Sequence, residues 1–178
     1  MLCSSIGICK TVRKSEMYIG KAETEPADRN DAGPEGVQME RLTENMILWA
    51  ESRLGSTGYA GFCLAFIEDA LELSNQIEIH GGDSAKESCE MYRDALLGGV
   101  PERGAVVFYD CLCQSETGPV NWGHCGISLG DGRVIHAWDM VRIDDYLAIE
   151  KLTALTGDHP KYLGWVKLER VLREPPKP

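Results

Sequence analysis

The sequence predicts an α+β domain, in which helices come first and an antiparallel β-sheet follows. Two observations predict this class. Segments with helical periodicity occupy the first half of the chain after residue 36, and short β-branched or aromatic runs punctuated by glycine occupy the second half. Runs of helices followed by runs of strands are typical of α+β folds. The length of 178 residues, with 43% apolar and 26% charged residues, is ordinary for one globular domain.

The N-terminal residues 1–36 differ in composition from the rest. The stretch from Lys21 to Gly36 is rich in proline, glycine and charge and has no apolar residue larger than alanine, which is typical of a disordered linker. We therefore predict a leader and linker over 1–36 and a single domain over 37–178. The first ten residues show no export signal, because Cys9 follows Ile8 rather than a small residue. Three locations stay open: the cytoplasm, release by lysis, or export by a dedicated system.

Charge and cysteine content exclude several function classes. The net charge of -10 argues against nucleic-acid binding, which depends on clustered lysine and arginine. No apolar run approaches the roughly 20 residues that a membrane span requires. The seven cysteines leave at least one unpaired and show no regular disulfide framework, so we expect free thiols in a reducing compartment.

Three helices are predicted in the first half of the domain. The segment 37–55 has helical periodicity and ends at Gly55, a plausible C-terminal cap. Apolar residues then recur at i, i+3, i+4, i+7 and i+8 from Cys63, which therefore opens a second helix on its buried side. Ser84 and Glu87 form the pattern of a capping box for a third helix that ends at Gly98-Gly99.

Strands are predicted from the runs "GAVVFYDC", "GHCGISL", "RVIHAW" and "YLGWVKL". They are short and contain valine, isoleucine and aromatic residues between glycines. One further short helix is expected after Asp144 and Asp145.

Cys63 is the candidate nucleophile. The unpaired N–H groups and the dipole of a helix N-terminus favour a thiolate, which is the reactive form of cysteine. Gly58 and Gly61 allow a substrate to approach the backbone closely. The alternative is a small core residue, since free cysteine is among the most buried residue types.

Two of the four histidines are candidates for the base that such a nucleophile needs. His80 and His159 lie in polar loops and are interpreted as solvated, whereas His124 and His136 stand in neighbouring strand-like runs. A two-residue turn between these strands would put the two side chains on opposite faces of the hairpin. A three-residue turn, Gly130-Asp131-Gly132, would place them diagonally on one face, and the sequence permits both registers.

The run from Gly61 to Cys63 followed by a helix, then "RGAVVFYD" and "GHCGISLGDGRVIHAW", resembles the NlpC-type papain-like cysteine peptidases of bacterial cell-wall metabolism. The resemblance implies a papain-like arrangement of helices on a small antiparallel sheet. It also implies that Cys63 is the nucleophile, His124 the general base and acid, and His136 the orienting residue. The implied substrate is a peptidoglycan stem peptide.

The sequence therefore predicts a cysteine-dependent amide-bond hydrolase that needs no cofactor or metal. Candidate substrate-binding residues are Tyr59, Gly61, Trp122 and Gly126, of which Gly126 leaves room between the histidines. An N-acyl amidase or acyltransferase of the same fold is an alternative. A catalytically inactive binding module is another, because Phe62 stands where the family commonly has aspartate. A zinc site built from Cys111, Cys113, His124, Cys125 and His136 has spacing that does not match a zinc finger.

Overall fold

The computed structural model describes residues 35–173, which form helices on an antiparallel sheet. The α-helices are α1 (Glu35–Glu51), α2 (Cys63–Asn75), α3 (Ala85–Met91) and α4 (Leu168–Val171). The strands are β1 (Val106–Asp110), β2 (Leu112–Ser115), β3 (Gly118–Asn121), β4 (His124–Ser128), β5 (Arg133–Ala137), β6 (Val141–Asp145) and β7 (Lys161–Val166). Short 3₁₀ helices cover Arg93–Ala95 and Ala148–Lys151. The α+β class predicted from the sequence is confirmed.

Five strands form the main sheet in the order β6-β5-β4-β1-β7, and every neighbouring pair is antiparallel. The strands β2 and β3 form a separate hairpin inserted between β1 and β4. The central strand, β4, and its neighbour β1 are almost wholly buried. The strands β4, β5 and β6 are neighbours in the sheet and also follow one another directly along the chain.

Alternation along the strands gives the sheet two apolar faces. One face packs against α1, α2 and α3, and its core includes Phe66, Ile67, Phe108 and Ile127. The opposite face carries a smaller cluster made of Ala105, Val107, Tyr109, Val134, Ile149 and Trp165. The helix α2 contacts β4 and β5 directly. Its first residue therefore lies beside the strands that carry the two candidate histidines.

The second helix begins at Cys63 as predicted, and the helix expected after Asp145 is present as the 3₁₀ turn Ala148–Lys151. The first helix differs at both ends. It begins at Glu35, two residues before the predicted domain boundary, and it ends at Glu51 rather than Gly55. The early end has a tertiary cause, because the Gly55 N–H donates to the Val141 carbonyl and the Val141 N–H donates to the Ser56 carbonyl. The rest of the predicted leader and linker lies outside the described residues.

The third helix has the predicted cap, since the Ser84 hydroxyl accepts a hydrogen bond from the Glu87 N–H at 3.1 Å. It ends at Met91, before the predicted Gly98-Gly99. The chain leaves the helix because Leu97 pairs with Trp165 beside β7 through two backbone hydrogen bonds. Long-range pairing of this kind overrides helical periodicity.

Three strands were not predicted. The strand β6 has the sequence "VRIDD", and its three charged residues make this half-buried strand resemble a loop in the sequence. The strands β2 and β3 are short and mostly polar, so they lack the apolar pattern that predicts a strand. Within residues 35–173, no helix has both the length and the apolar character needed to cross a membrane.

Candidate active site

Cys63 is the first residue of α2, and its side chain is 4% exposed. The residue before it, Phe62, makes no side-chain capping hydrogen bond, and the first turn contains no acidic residue. The first turn of α2 therefore contributes no carboxylate that would offset the positive end of the helix dipole. The first N–H groups of an α-helix have no partner within the helix, so the N-terminus of α2 offers hydrogen-bond donors near Cys63.

Backbone hydrogen bonds hold the loop before Cys63 against the connection between β5 and β6. The Gly61 N–H donates to the carbonyl of Trp138 at 3.2 Å, and Gly61 adopts a φ of 77° that favours glycine. Two further backbone hydrogen bonds join this loop to Val141, one from the Gly55 N–H and one to the Ser56 carbonyl. The nucleophile loop is thus attached to the same hairpin that carries His136.

His124 opens β4 and is 3% exposed. Its ring contacts Trp138 edge-on, with centroids 5.1 Å apart, and Tyr109 at 5.9 Å. The preceding Gly123 has a φ of 71°, and a Cβ there would lie 2.7 Å from the backbone nitrogen of Lys86. Aromatic walls and a close backbone crossing therefore fix where the imidazole sits.

The register of the β4–β5 hairpin brings the two histidines together. Gly126 pairs with His136, Ser128 pairs with Val134, and the Leu129 N–H donates to the Arg133 carbonyl. The turn is therefore the three-residue Gly130-Asp131-Gly132, and Gly132 has a φ of 85°. The register that places both histidines on one face is confirmed.

A chain of hydrogen bonds extends from His124 through the sheet. His124 Nε2 lies 2.9 Å from His136 Nδ1, and His136 Nε2 lies 3.0 Å from Asp144 Oδ2. Arg142 binds both oxygens of Asp144, through Nε at 2.6 Å and a terminal nitrogen at 3.1 Å. Its other terminal nitrogen lies 3.6 Å from Asp139.

The surroundings of His136 and Asp144 give these two hydrogen-bonded residues different charges. Burial lowers the pKa of His136 to about 4, and the hydrogen bond to Asp144 only partly opposes this effect. The hydrogen bond from His136 and the bonds from Arg142 lower the pKa of Asp144 to about 2, against a smaller opposing effect of burial. At neutral pH the pair is therefore a neutral imidazole beside a carboxylate.

Proton positions follow from these charge states. An ionised carboxylate can only accept, so the single proton of neutral His136 lies on Nε2 and is donated to Asp144. His136 Nδ1 is then an acceptor, and the proton in its bond with His124 belongs to His124 Nε2. When His124 is neutral, its Nδ1 therefore carries a free lone pair, which is the form that a general base requires.

Cys63 and His124 line one cleft. Its walls come from the nucleophile loop, the ends of β1, β4 and β5, and the segment after the second 3₁₀ helix. They comprise Gly61, Cys63, Cys111, Cys113, Gly123, His124, Ala137, Trp138, Asp139, Thr153, Ala154 and Leu155. Within the described residues no lysine or arginine lines this cleft, and its one charged side chain, Asp139, is paired with Arg142.

The candidate substrate-binding residues fall into two groups. Gly61 lines the cleft, and Gly126 lies under His136, where a Cβ would be 2.9 Å from that residue's own Cβ. Tyr59 instead packs against Trp49 and Phe66, and its hydroxyl donates to Asp69. The carbonyl of Trp122 accepts from the N–H of Lys86 in α3. Of the four candidates, Gly61 lines the cleft, whereas Tyr59, Trp122 and Gly126 are not among its lining residues.

In the described part of the chain, the other cysteines and histidines form no second site of the kind considered from the sequence. None of the five described cysteines forms a disulfide, and burial raises the pKa of Cys125 and of Cys89. The neighbouring Cys113 thiol raises the pKa of Cys111. His80 and His159 are exposed, as predicted. Within residues 35–173, no three His, Cys, Asp or Glu side chains are grouped so that they could hold a metal ion.

Sequence reasoning did not assign Asp144 and Arg142 to the site, and it considered Cys111 and Cys113 only as zinc ligands and not as part of a cleft wall. Arg142 pairs with His136 across β5 and β6, and Asp144 lies two residues further along the same face. The alternation of "VRIDD" was the signal for both residues, because it places positions 142 and 144 on one side of a strand.

Comparison with known proteins gives only distant likenesses to solved structures. No protein-family model matches the chain, and no curated protein matches it. A solved structure from Staphylococcus aureus subsp. aureus Mu50, described as similar to a lipoprotein of the NLP/P60 family, is similar over 86% of this chain and 46% of its own. The sequence identity is 16% and the TM-score is 0.42. This chain therefore spans less than half of that protein's length.

Proposed function

We propose that the protein is a cysteine-dependent amide-bond hydrolase that works through an acyl-enzyme on Cys63. The observation that carries the proposal is the pairing, in one cleft, of a thiol at a helix N-terminus with a histidine whose outer nitrogen is held by His136. A nucleophile, a base and a group that orients the base are the three parts of this chemistry.

The reaction begins when the thiol proton of Cys63 passes to His124 Nδ1. The thiolate attacks the carbonyl carbon, and the resulting oxyanion accepts hydrogen bonds from N–H groups of the first turn of α2. His124 then donates the proton to the leaving nitrogen as the C–N bond breaks, which leaves a thioester and a free amine. A water molecule, deprotonated by His124, releases the carboxylic acid and restores the thiol.

Two classes of substrate fit this scheme. The sequence resemblance favours a peptidoglycan stem peptide, although a protein of net charge -10 gains no attraction to an anionic polymer. The cleft favours the second class, an uncharged N-acyl amide or an acyl group for transfer. Its walls are mainly apolar, and in the described part of the chain no cationic side chain in them is available to a substrate carboxylate.

Mass spectrometry of the intact protein tests the chemistry and the substrate class together. Defined muropeptides and neutral N-acyl anilides are each offered to the native protein and to Cys63→Ala. We expect turnover and an acyl adduct on Cys63 with the native protein only. The neutral acyl substrates should exceed the free-carboxylate muropeptides in kcat/KM.

Two results would overturn the proposal. Turnover by a folded Cys63→Ala variant would leave a non-covalent mechanism. A thiol in Cys63 that reacts with alkylating reagents no faster than Cys125 would favour an inactive binding module. We expect Cys63→Ala to destabilise the fold only slightly, because it removes one sulfur atom at the wall of an existing cleft.

A further inference from the structure

We propose that Asp144, clamped by Arg142, is a positioning residue that sets the tautomers of both histidines and thereby leaves His124 Nδ1 free to take the thiol proton. The proposal rests on the function proposed above, in which His124 is the base. It adds a fourth group, which acts through His136 and touches neither the thiol nor the substrate.

The first line of support is the directional order of the hydrogen bonds. Asp144 Oδ2 accepts from His136 Nε2 at 3.0 Å, and His136 Nδ1 lies 2.9 Å from His124 Nε2. The two ring nitrogens of histidine are distinct, and the one that carries the proton is set by the hydrogen bond that the other makes. Asp144 sets the position of the proton here, because a carboxylate cannot donate.

Arg142 supplies the second line of support. Its guanidinium binds both oxygens of Asp144, a bidentate geometry that holds the carboxylate in one orientation and in its ionised form. Arg142 also lies directly across the strand pair from His136, and its positive charge further disfavours a second proton on that ring. The arginine thus keeps Asp144 an acceptor, and its charge adds to the larger effect of burial that keeps His136 neutral.

The neighbouring aspartate shows what a purely structural role looks like at the same place. Asp145 Oδ1 accepts the backbone N–H groups of Leu147 and Ala148 and so caps the 3₁₀ helix that follows. Asp144 makes no such backbone bond among the described residues, and its side chain, 20% exposed, is bound to His136 and Arg142. The two adjacent carboxylates have separate partners, which makes Asp145→Asn a matched control for Asp144→Asn.

Two substitutions of Asp144 remove its acceptor function to different degrees. Asp144→Asn keeps the shape and one acceptor oxygen but loses the charge, whereas Asp144→Leu keeps a similar volume and no acceptor. A carboxylate that contacts the base directly is worth about 10⁴-fold in kcat in serine proteases. Since Asp144 acts through one further ring, we expect kcat to fall about 10-fold in Asp144→Asn and about 100-fold in Asp144→Leu. KM should stay within about 2-fold, because Asp144 does not line the cleft.

Imidazole ¹⁵N chemical shifts at neutral pH provide a measurement that does not depend on turnover. In the native protein we expect the proton on Nε2 in both His124 and His136. Asp144→Leu should move a substantial fraction of His136 to the Nδ1–H form, and Asp145→Asn should leave both rings unchanged. Because the native spectrum alone tests the assignment, the proposal stays falsifiable if Asp144→Leu fails to fold.

The outcomes separate the two proposals. An Nδ1–H form of His136 in the native protein, or unchanged tautomers in folded Asp144→Leu, would overturn the role of Asp144. The role of Asp144 would also be overturned if its variants lost activity only in proportion to their lost stability and Asp145→Asn lost the same amount. A native protein with the expected tautomers and no cysteine-dependent turnover would instead overturn the proposed function and leave the hydrogen-bond order standing.

Discussion

Replacing Gly126 by alanine should impair both the fold and the chemistry, because the missing side chain at this position is the space that His136 occupies. A Cβ at Gly126 would lie 2.4 Å from Val134 Cγ1, 2.9 Å from His136 Cβ and 3.0 Å from the Ile135 carbonyl oxygen. All three atoms belong to β5, which is paired on both sides within the sheet. The strand therefore cannot move away without disturbing its other ladder.

The expected destabilisation comes from this overlap and not from the backbone. Gly126 is not among the glycines with positive φ, so alanine has no conformational penalty there. Inserting one carbon into a packed core typically costs about 1–3 kcal/mol. We expect the free energy of unfolding to fall by about that amount. We also expect kcat to fall at least about 10-fold, because His136 must shift away from His124.

Gly132→Ala is the matched control, since it adds the same atom to the same hairpin. Gly132 has a φ of 85°, and the nearest atom to an added Cβ is Asp145 Oδ2 at 3.7 Å. Its cost is conformational, about 1–2 kcal/mol, and should leave kcat per folded molecule unchanged. Urea unfolding and single-turnover rates measured on both variants check this contrast. Full activity and unchanged stability in Gly126→Ala would refute the reasoning, because β5 would then accommodate an added Cβ without a measurable cost.

Three further predictions concern individual side chains. Iodoacetamide near neutral pH should label Cys63 faster than Cys89, because burial raises the pKa of the Cys89 thiol; peptide mapping measures the two rates, and faster labelling of Cys89 would contradict the assignment of the nucleophile. Burial lowers the pKa of His136 to about 4 from an ordinary 6.5, so between these pH values His136 is protonated in the unfolded chain but not in the folded one. Stability from this group is complete above about pH 6.5 and is lost as the pH falls towards 4; at pH 5 it should be lower by roughly 2 kcal/mol than at pH 7, and denaturant unfolding should show a shallower pH dependence in His136→Gln. Ser84→Ala should cost about 1 kcal/mol in unfolding free energy without changing activity, because it removes the acceptor for the Glu87 N–H and leaves the cleft untouched.

The parts of the fold that depend on local chemistry could be predicted from the sequence. The periodicity after Cys63 and the pair Ser84 and Glu87 each predict a helix start, because the signal and the structure lie within one turn. The hairpin register was narrowed to two choices, of which the three-residue turn ending at Gly132 is the one present.

Features decided by distant segments could not be predicted in this way. The early end of the third helix depends on the pairing of Leu97 with Trp165, which no local pattern contains. Asp144 was read only as a signal for a following helix, because its contact with His136 requires knowing that β5 and β6 are neighbours. Tyr59 was expected beside the substrate, and its bond to Asp69 depends on how the loop folds back over α2.

The hydrogen bonds that join the nucleophile loop to the β5–β6 connection also determine when activity can arise during synthesis. The thiol comes from the first half of the chain, while both histidines and the segment that receives Gly55 and Gly61 come from the second half. Contacts between such distant segments form after local helices, because a long stretch of chain must be ordered first. A nascent chain that has made α1 and α2 therefore carries the thiol without its base. The arrangement of Cys63 beside the two histidines is therefore complete only once the C-terminal strands have been synthesised and paired.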